Sequence, residues 1–134
     1  MADGSIQATI DRFRAARLAG DKEAIRSFLS PGATYEMVGA KAFAPKEAVG
    51  PTQAWAAADQ LVDDFVFHDM KQLTAIIDGP RAAIVNRLEV SFRGGTAVCL
   101  EVCDLWEFDA AGKVTSIKQF VDTDLVRRMI GAPT

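Results

Sequence analysis

The stretch Thr96–Val121, TAVCLEVCDLWEFDAAGKVTSIKQFV, decides the fold. It predicts two long antiparallel strands joined by the turn Asp109-Ala110-Ala111-Gly112, with Gly112 supplying the positive φ that such a turn needs. Counting in twos puts Leu100, Val102, Asp104, Trp106 and Phe108 on one face and Cys99, Glu101, Cys103, Leu105 and Glu107 on the other. One carboxylate therefore stands in an otherwise apolar row. Burying an ionised group costs several kcal/mol unless it is paired or neutralised, so Asp104 is either a functional acid or a buried acid satisfied by neighbours such as Tyr35 or Asn86.

Composition sets the outer limits. A chain of 134 residues, 49% hydrophobic and 25% charged, is expected to form one domain over 1–134 with a real core. A net charge of -3 gives no electrostatic footprint for nucleic acid or an anionic membrane. With a single histidine and scattered acidic residues, no metal site is expected, and no cofactor either. Cys99 and Cys103 sit four apart on one strand face, about 13 Å by the usual rise, too far for a disulfide. That spacing fits a reducing, cytoplasmic setting, and the opening MADGSIQ has neither the basic nor the apolar region of a secretory signal. No run of apolar residues approaches the length of a membrane span.

Outward from the hairpin, the chain begins with an amphipathic helix after Gly4 and the N-cap candidate Ser5, with Ile6, Ile10 and Phe13 on one stripe and Gly20 as its end. Asp21 caps a shorter helix, KEAIRSFL, stopped by Ser30-Pro31-Gly32. Ala33–Val38 alternates as a strand, with Tyr35 and Met37 on one face. Gly39–Gly50 is a loop and a candidate lid, with Phe43 as its apolar contact. Gly50-Pro51 opens a third helix, in which Trp55, Ala58 and Leu61 or Val62 share a stripe. Strands follow, FVFHDMKQLTAII and RAAIVNRLEVSF around the turn Asp78-Gly79-Pro80, then the opening hairpin and a closing helix from Asp122 to Ile130.

Helices leading into a meander of long strands make an α+β layout. The order helix, Ala-Gly-Asp, short helix ending in Phe-Leu, strand beginning Ala-Thr, Gly-Pro helix, then hairpins ending in CDLWEFDAAGKVTSIKQFVD resembles the NTF2-like superfamily. Within it, the chain is similar to the ketosteroid isomerase and SnoaL-like polyketide cyclase group. The resemblance implies a cystatin-like cone, a curved antiparallel sheet wrapped around N-terminal helices, with a deep apolar pocket and a homodimer formed through the sheet. Asp104 matches the acid that the isomerases keep protonated in an apolar site to donate a hydrogen bond to an oxyanion. Phe13 stands where they carry a second donor, a tyrosine, and Met37 where they carry the aspartate base. Against limonene epoxide hydrolase, Tyr35 falls at the water-orienting tyrosine, but Met37 and Gln119 replace an asparagine and an aspartate. Arg87-x-Glu89 supplies an Arg-x-acid pair; periodicity puts both residues on the outer face with Val85 and Ser91, and a one-residue bulge would reverse that.

The inward rows thus predict a cavity lined by Phe13, Tyr35, Met37, Trp55, Asn86, Leu88, Val102, Asp104, Trp106, Ile117, Gln119 and Val121. Two functions follow. One is an enzyme, a cofactor-independent isomerase, cyclase, dehydratase or hydrolase acting on a small apolar molecule, with Asp104 as acid/base and Tyr35 orienting a carbonyl or hydroxyl. The other is a pocket protein that binds an apolar ligand, or a dimeric interaction module, without chemistry. His68 lies where its facing is open, and Cys99 and Cys103 are expected in the dimer interface.

Overall fold

The computed structural model describes residues 3–39 and 52–131. In chain order the elements are α1 (Asp3–Ala19), α2 (Lys22–Phe28), β1 (Leu29–Met37), β2 (Thr52–Gln53), α3 (Ala54–Asp64), β3 (Phe65–Asp78), β4 (Arg81–Phe92), β5 (Val98–Phe108), β6 (Val114–Phe120) and α4 (Thr123–Ile130). The strands form one six-stranded sheet in the order β2-β1-β6-β5-β4-β3. It is curved and unclosed, with helices against it, and so α+β as expected.

The sheet is mixed rather than antiparallel, which corrects the expectation. β1 runs parallel to β6, pairing Tyr35 with Ile117 and Met37 with Gln119. A parallel pair needs a long crossover, and here the connection contains α3 and the whole β3–β5 meander. Periodicity shows which face a residue takes but not which strand lies beside it.

The opening hairpin forms as the alternation requires. Asp109 closes its turn by accepting from Ala111 N and Lys113 N through Oδ1, at 2.9 and 3.0 Å, and Gly112 takes φ 85°. Leu100, Val102, Asp104, Trp106 and Phe108 all turn inward and are buried. Curvature comes from bulges: the register of β3 against β4 slips at His68 and again at Leu73, and that of β1 against β6 slips between Leu29 and Thr34.

Local boundaries shift for identifiable reasons. α1 starts at Asp3, so Ser5 is helical and its carbonyl accepts from Thr9 Oγ1 at 3.0 Å. α2 ends at Phe28, and Leu29 is already extended, giving β1 an irregular start through Ser30-Pro31-Gly32. α3 begins at Ala54 because Gln53 caps it, accepting from Ala56 N at 2.7 Å, while Thr52–Gln53 forms the short edge strand beside β1. Asp122 caps α4 and Gly131 ends it in the left-handed region. The candidate lid, with Phe43, lies outside the described residues beyond Gly39.

Two buried clusters fill the concave side. The larger joins Ile6 and Ile10 of α1, Ile25 of α2 and Ala54 of α3 to Ile84, Trp106, Phe108, Val114 and Ile117 of the sheet. The smaller holds Leu88, Val90, Leu100 and Val102, with Leu125 and Met129 of α4 packed over them. A cavity on this side draws its walls from both clusters. On the outer face Arg87 and Glu101 oppose each other at 4.0 Å, both exposed, as the period of β4 requires.

Candidate small-molecule site

The cavity of about 120 Å³ lies between the sheet and α1, α3 and α4. Phe13 of α1, Tyr35 and Met37 of β1, Asn86 and Leu88 of β4, Val102, Asp104 and Trp106 of β5, Ile117 and Gln119 of β6, and Val121 beyond it all line this space. Each inward row contributes because side chains two apart on a strand share a face. Trp55 does not line it. α3 presents Ala54, Ala58, Leu61 and Val62 to the cavity, and Trp55, one step round the helix from Ala54, packs outside. Its Nε1 reaches Leu29 O at 3.4 Å, and the Arg26 guanidinium lies 5.7 Å from its ring centroid.

Asp104 is the centre of the polar chemistry. Burial raises its carboxyl from 3.8 to about 7, while the Gln119 amide and the Trp106 indole N–H pull the other way. Neither donor completes the shell: the Trp106 indole lies close enough to act on the carboxyl, yet among the described residues Asp104 Oδ1 and Trp106 Nε1 are buried and close no full hydrogen bond. Asn86 Oδ1 is a third such atom, and all three residues face the cavity. Buried polar atoms are ordinarily paired with protein, water or ligand, so these three mark where molecules held in the cavity would bond.

Tyr35 is bound into the same set. Its hydroxyl donates to Gln119 Oε1 at 2.6 Å, which leaves the amide NH₂ of Gln119 for Asp104. Burial, and then the charge of Asp104, push the Tyr35 phenol above its usual range, so it stays a neutral donor. The chain Tyr35–Gln119–Asp104 crosses β1, β6 and β5, which are neighbours in the sheet.

Arg17 is a cavity residue the sequence reading missed. It follows Phe13 by four positions and Ile10 by seven, on the stripe that faces the core, and this spacing was the available signal. Its Nη2 donates to Leu61 O at 3.2 Å and Phe65 O at 2.9 Å, and its guanidinium carbon sits 3.7 Å from the Phe67 ring centroid. Burial lowers it to about 10, which still leaves it charged at neutral pH.

His68 points away from the cavity, on the outer face at a bulge, with Nε2 2.8 Å from Ser91 Oγ. Ser91 faces outward as expected yet is buried beneath this contact. Among the described residues, no group of three or more His, Cys, Asp or Glu side chains is placed to hold a metal. Cys99 and Cys103 are free thiols on the outer face.

This geometry meets its relatives at the level of family. The model of the SnoaL-like domain matches residues 10–117. The chain belongs to the SnoaL-like family. The search of curated protein sequences finds no match. Among solved structures, this SnoaL-like chain is similar to an NTF2-like protein of unknown function from Burkholderia pseudomallei, with 17% identity over 98% of this chain and 100% of that one and a TM-score of 0.77. It is also similar to an LEH-like epoxide hydrolase of M. tuberculosis, with 16% identity over 96% and 92% and a TM-score of 0.72. A protein from Catenulispora acidiphila with a ketosteroid isomerase-like fold, solved in complex with trimethylamine, aligns with 14% identity over 93% of both chains and a TM-score of 0.72. At such identities the likeness establishes the NTF2-like fold and leaves the chemistry to the residues.

Proposed function

We propose that the cavity takes a small, largely apolar molecule bearing a carbonyl or hydroxyl, and that Asp104 exchanges a proton with it in an isomerase-, cyclase- or dehydratase-type reaction that needs no cofactor. The observation that carries this reading is the convergence of Asn86 Oδ1, Asp104 Oδ1 and Trp106 Nε1 on one cavity, none of them in a completed hydrogen bond among the described residues. A carboxyl at about 7 is divided between acid and base at neutral pH, the condition under which one group can both take and return a proton. The Trp106 N–H is available to a developing oxyanion, and Tyr35 orients the site through Gln119. In an isomerisation, ionised Asp104 takes a proton from the carbon beside a carbonyl and returns it elsewhere on the same molecule, so nothing else is consumed. A space of about 120 Å³ is close to the roughly 150 Å³ cavity that accepts benzene, which favours a single-ring substrate.

Binding without chemistry is the second reading. It is favoured by Phe13 and Met37, which put hydrocarbon where the isomerases carry a hydroxyl and a carboxylate, and by the engagement of Tyr35 with Gln119. Proton–deuterium exchange into single-ring unsaturated ketones in D₂O, followed by NMR, separates the two. Exchange lost by at least 100-fold in Asp104→Asn, with binding retained, is the enzymatic outcome; binding with no exchange in the wild type leaves only the pocket. Exposed Leu105 and Phe120 on the outer sheet face support a homodimer formed there, and the two free thiols support a reducing, cytoplasmic setting.

A further inference from the structure

Arg17 gives the cavity a positive charge that no carboxylate pairs with among the described residues. Arg17 is half-buried, and a guanidinium drawn out of water ordinarily meets a carboxylate, because desolvating a cation is expensive. Here the partners are neutral: two backbone carbonyls at the end of α3 and the face of Phe67. Both bonds leave from Nη2, and a guanidinium has five N–H donors in a planar fork suited to two parallel bonds to a carboxylate. The other groups that bear on Arg17 are Tyr35 of β1, a neutral phenol, and through Tyr35 the carboxyl of Asp104 on β5. Asp104 shares the cavity but is turned to Gln119 and Trp106 and makes no ion pair with Arg17. With Asp104 protonated, the cavity is a largely apolar space holding one positive charge that has no carboxylate partner among the described residues.

We infer that the ligand is an anion, a small carboxylate with one apolar ring or chain, whose carboxylate pairs with Arg17 while its body lies against Phe13, Met70 and Leu88 and its remaining polar atoms meet Asn86 and Trp106. This deepens the small-molecule reading of the same cavity and rests on it. Arg17 is then the residue that selects charge. Its second role, tying the end of α3 to α1, explains why the guanidinium is held in place before a ligand arrives. Anion binding and Asp104 are coupled in one direction: a second negative charge in the cavity favours the protonated carboxyl, so binding takes up a proton as the pH approaches 8.

The test compares benzoate with benzamide, nearly equal in shape and differing in charge, by NMR titration of the labelled full chain through the Trp106 indole N–H and the Arg17 side-chain signals. At pH 6, benzoate is expected to bind at least tenfold more tightly than benzamide, to weaken several-fold between pH 6 and 8, and to lose that pH dependence in Asp104→Asn. Arg17→Gln is expected to erase the preference, and Arg17→Lys, which keeps the charge and guards against loss of fold, to retain a reduced one. Benzamide binding as well as benzoate, or a preference that survives Arg17→Gln, overturns the anion assignment while leaving the small-molecule site intact. Failure of both probes to move any cavity signal overturns the site itself and this inference with it.

Discussion

Replacing Asp104 by asparagine should make the protein more stable as the pH rises, against the usual expectation for removing a charge. The carboxyl is 7% exposed, and burial lifts it from 3.8 to about 7. The sign follows from proton counting. Between these two values the unfolded chain has released its proton while the folded chain still holds it, so the wild type loses stability through that window and levels off above it. At about 1.36 kcal/mol per pH unit, a gap of roughly three units sets a ceiling of about 4 kcal/mol. Asparagine has the same shape and no proton to lose. The stability difference, variant minus wild type, should therefore grow by up to about 1.4 kcal/mol per pH unit from pH 4 to 7 and flatten by pH 8. Urea denaturation at half-unit pH intervals, read by tryptophan fluorescence, measures it. Any constant effect of repacking the amide against Gln119 cancels in the slope, as do groups that titrate alike in both proteins. A flat difference, or one that falls as the pH rises, would refute the reasoning, because it would mean Asp104 is ionised and satisfied in the folded chain.

Other perturbations have narrower readouts. Tyr35→Phe removes the 2.6 Å bond to Gln119 and leaves the half-buried Gln119 Oε1 without its donor, so it should cost about 1 kcal/mol in chemical denaturation. Ile84→Ala empties a site 1% exposed in the core-facing row of β4 and should cost about 2–5 kcal/mol in the same assay. Gly112→Ala forces a side chain onto φ 85° and should cost about 1–2 kcal/mol, seen as a lower Tm without loss of ligand binding. Glu101→Ala breaks only the exposed 4.0 Å pair with Arg87 and should leave stability within about 0.5 kcal/mol. A loss of several kcal/mol there would mean that the outer face is covered in solution.

The parts of the fold that were legible in the sequence are those set by neighbours in the chain. Alternation from Leu100 to Phe108 and the Asp109–Gly112 turn fixed one hairpin and the inward row with Asp104 in it, because a strand's two faces follow from a period of two. Arg87 and Glu89 turned outward for the same reason. The parallel pairing of β1 with β6 was illegible, since it joins residues some eighty positions apart and periodicity carries no information about partners. Around the cavity, the strand residues were found and the helix residues less well. On α3 the large Trp55 drew attention, yet the face toward the sheet is built from Ala54 and Ala58, whose small side chains let the helix approach. Arg17 was passed over because a charge on an amphipathic helix is ordinarily solvated; its stripe position says otherwise. The unpaired state of Asn86, Asp104 and Trp106 depends on which groups fail to meet in three dimensions, and no one-dimensional pattern contains that.

The most direct test is the titration of Asp104 itself, followed by the ¹³Cγ resonance of the aspartate-labelled protein and assigned by its absence in Asp104→Asn. A midpoint near 7 that moves upward when a carboxylate ligand fills the cavity is the predicted result. A midpoint near 3.8, unmoved by any ligand, would contradict it and make Asp104 a structural residue with its hydrogen bonds already complete.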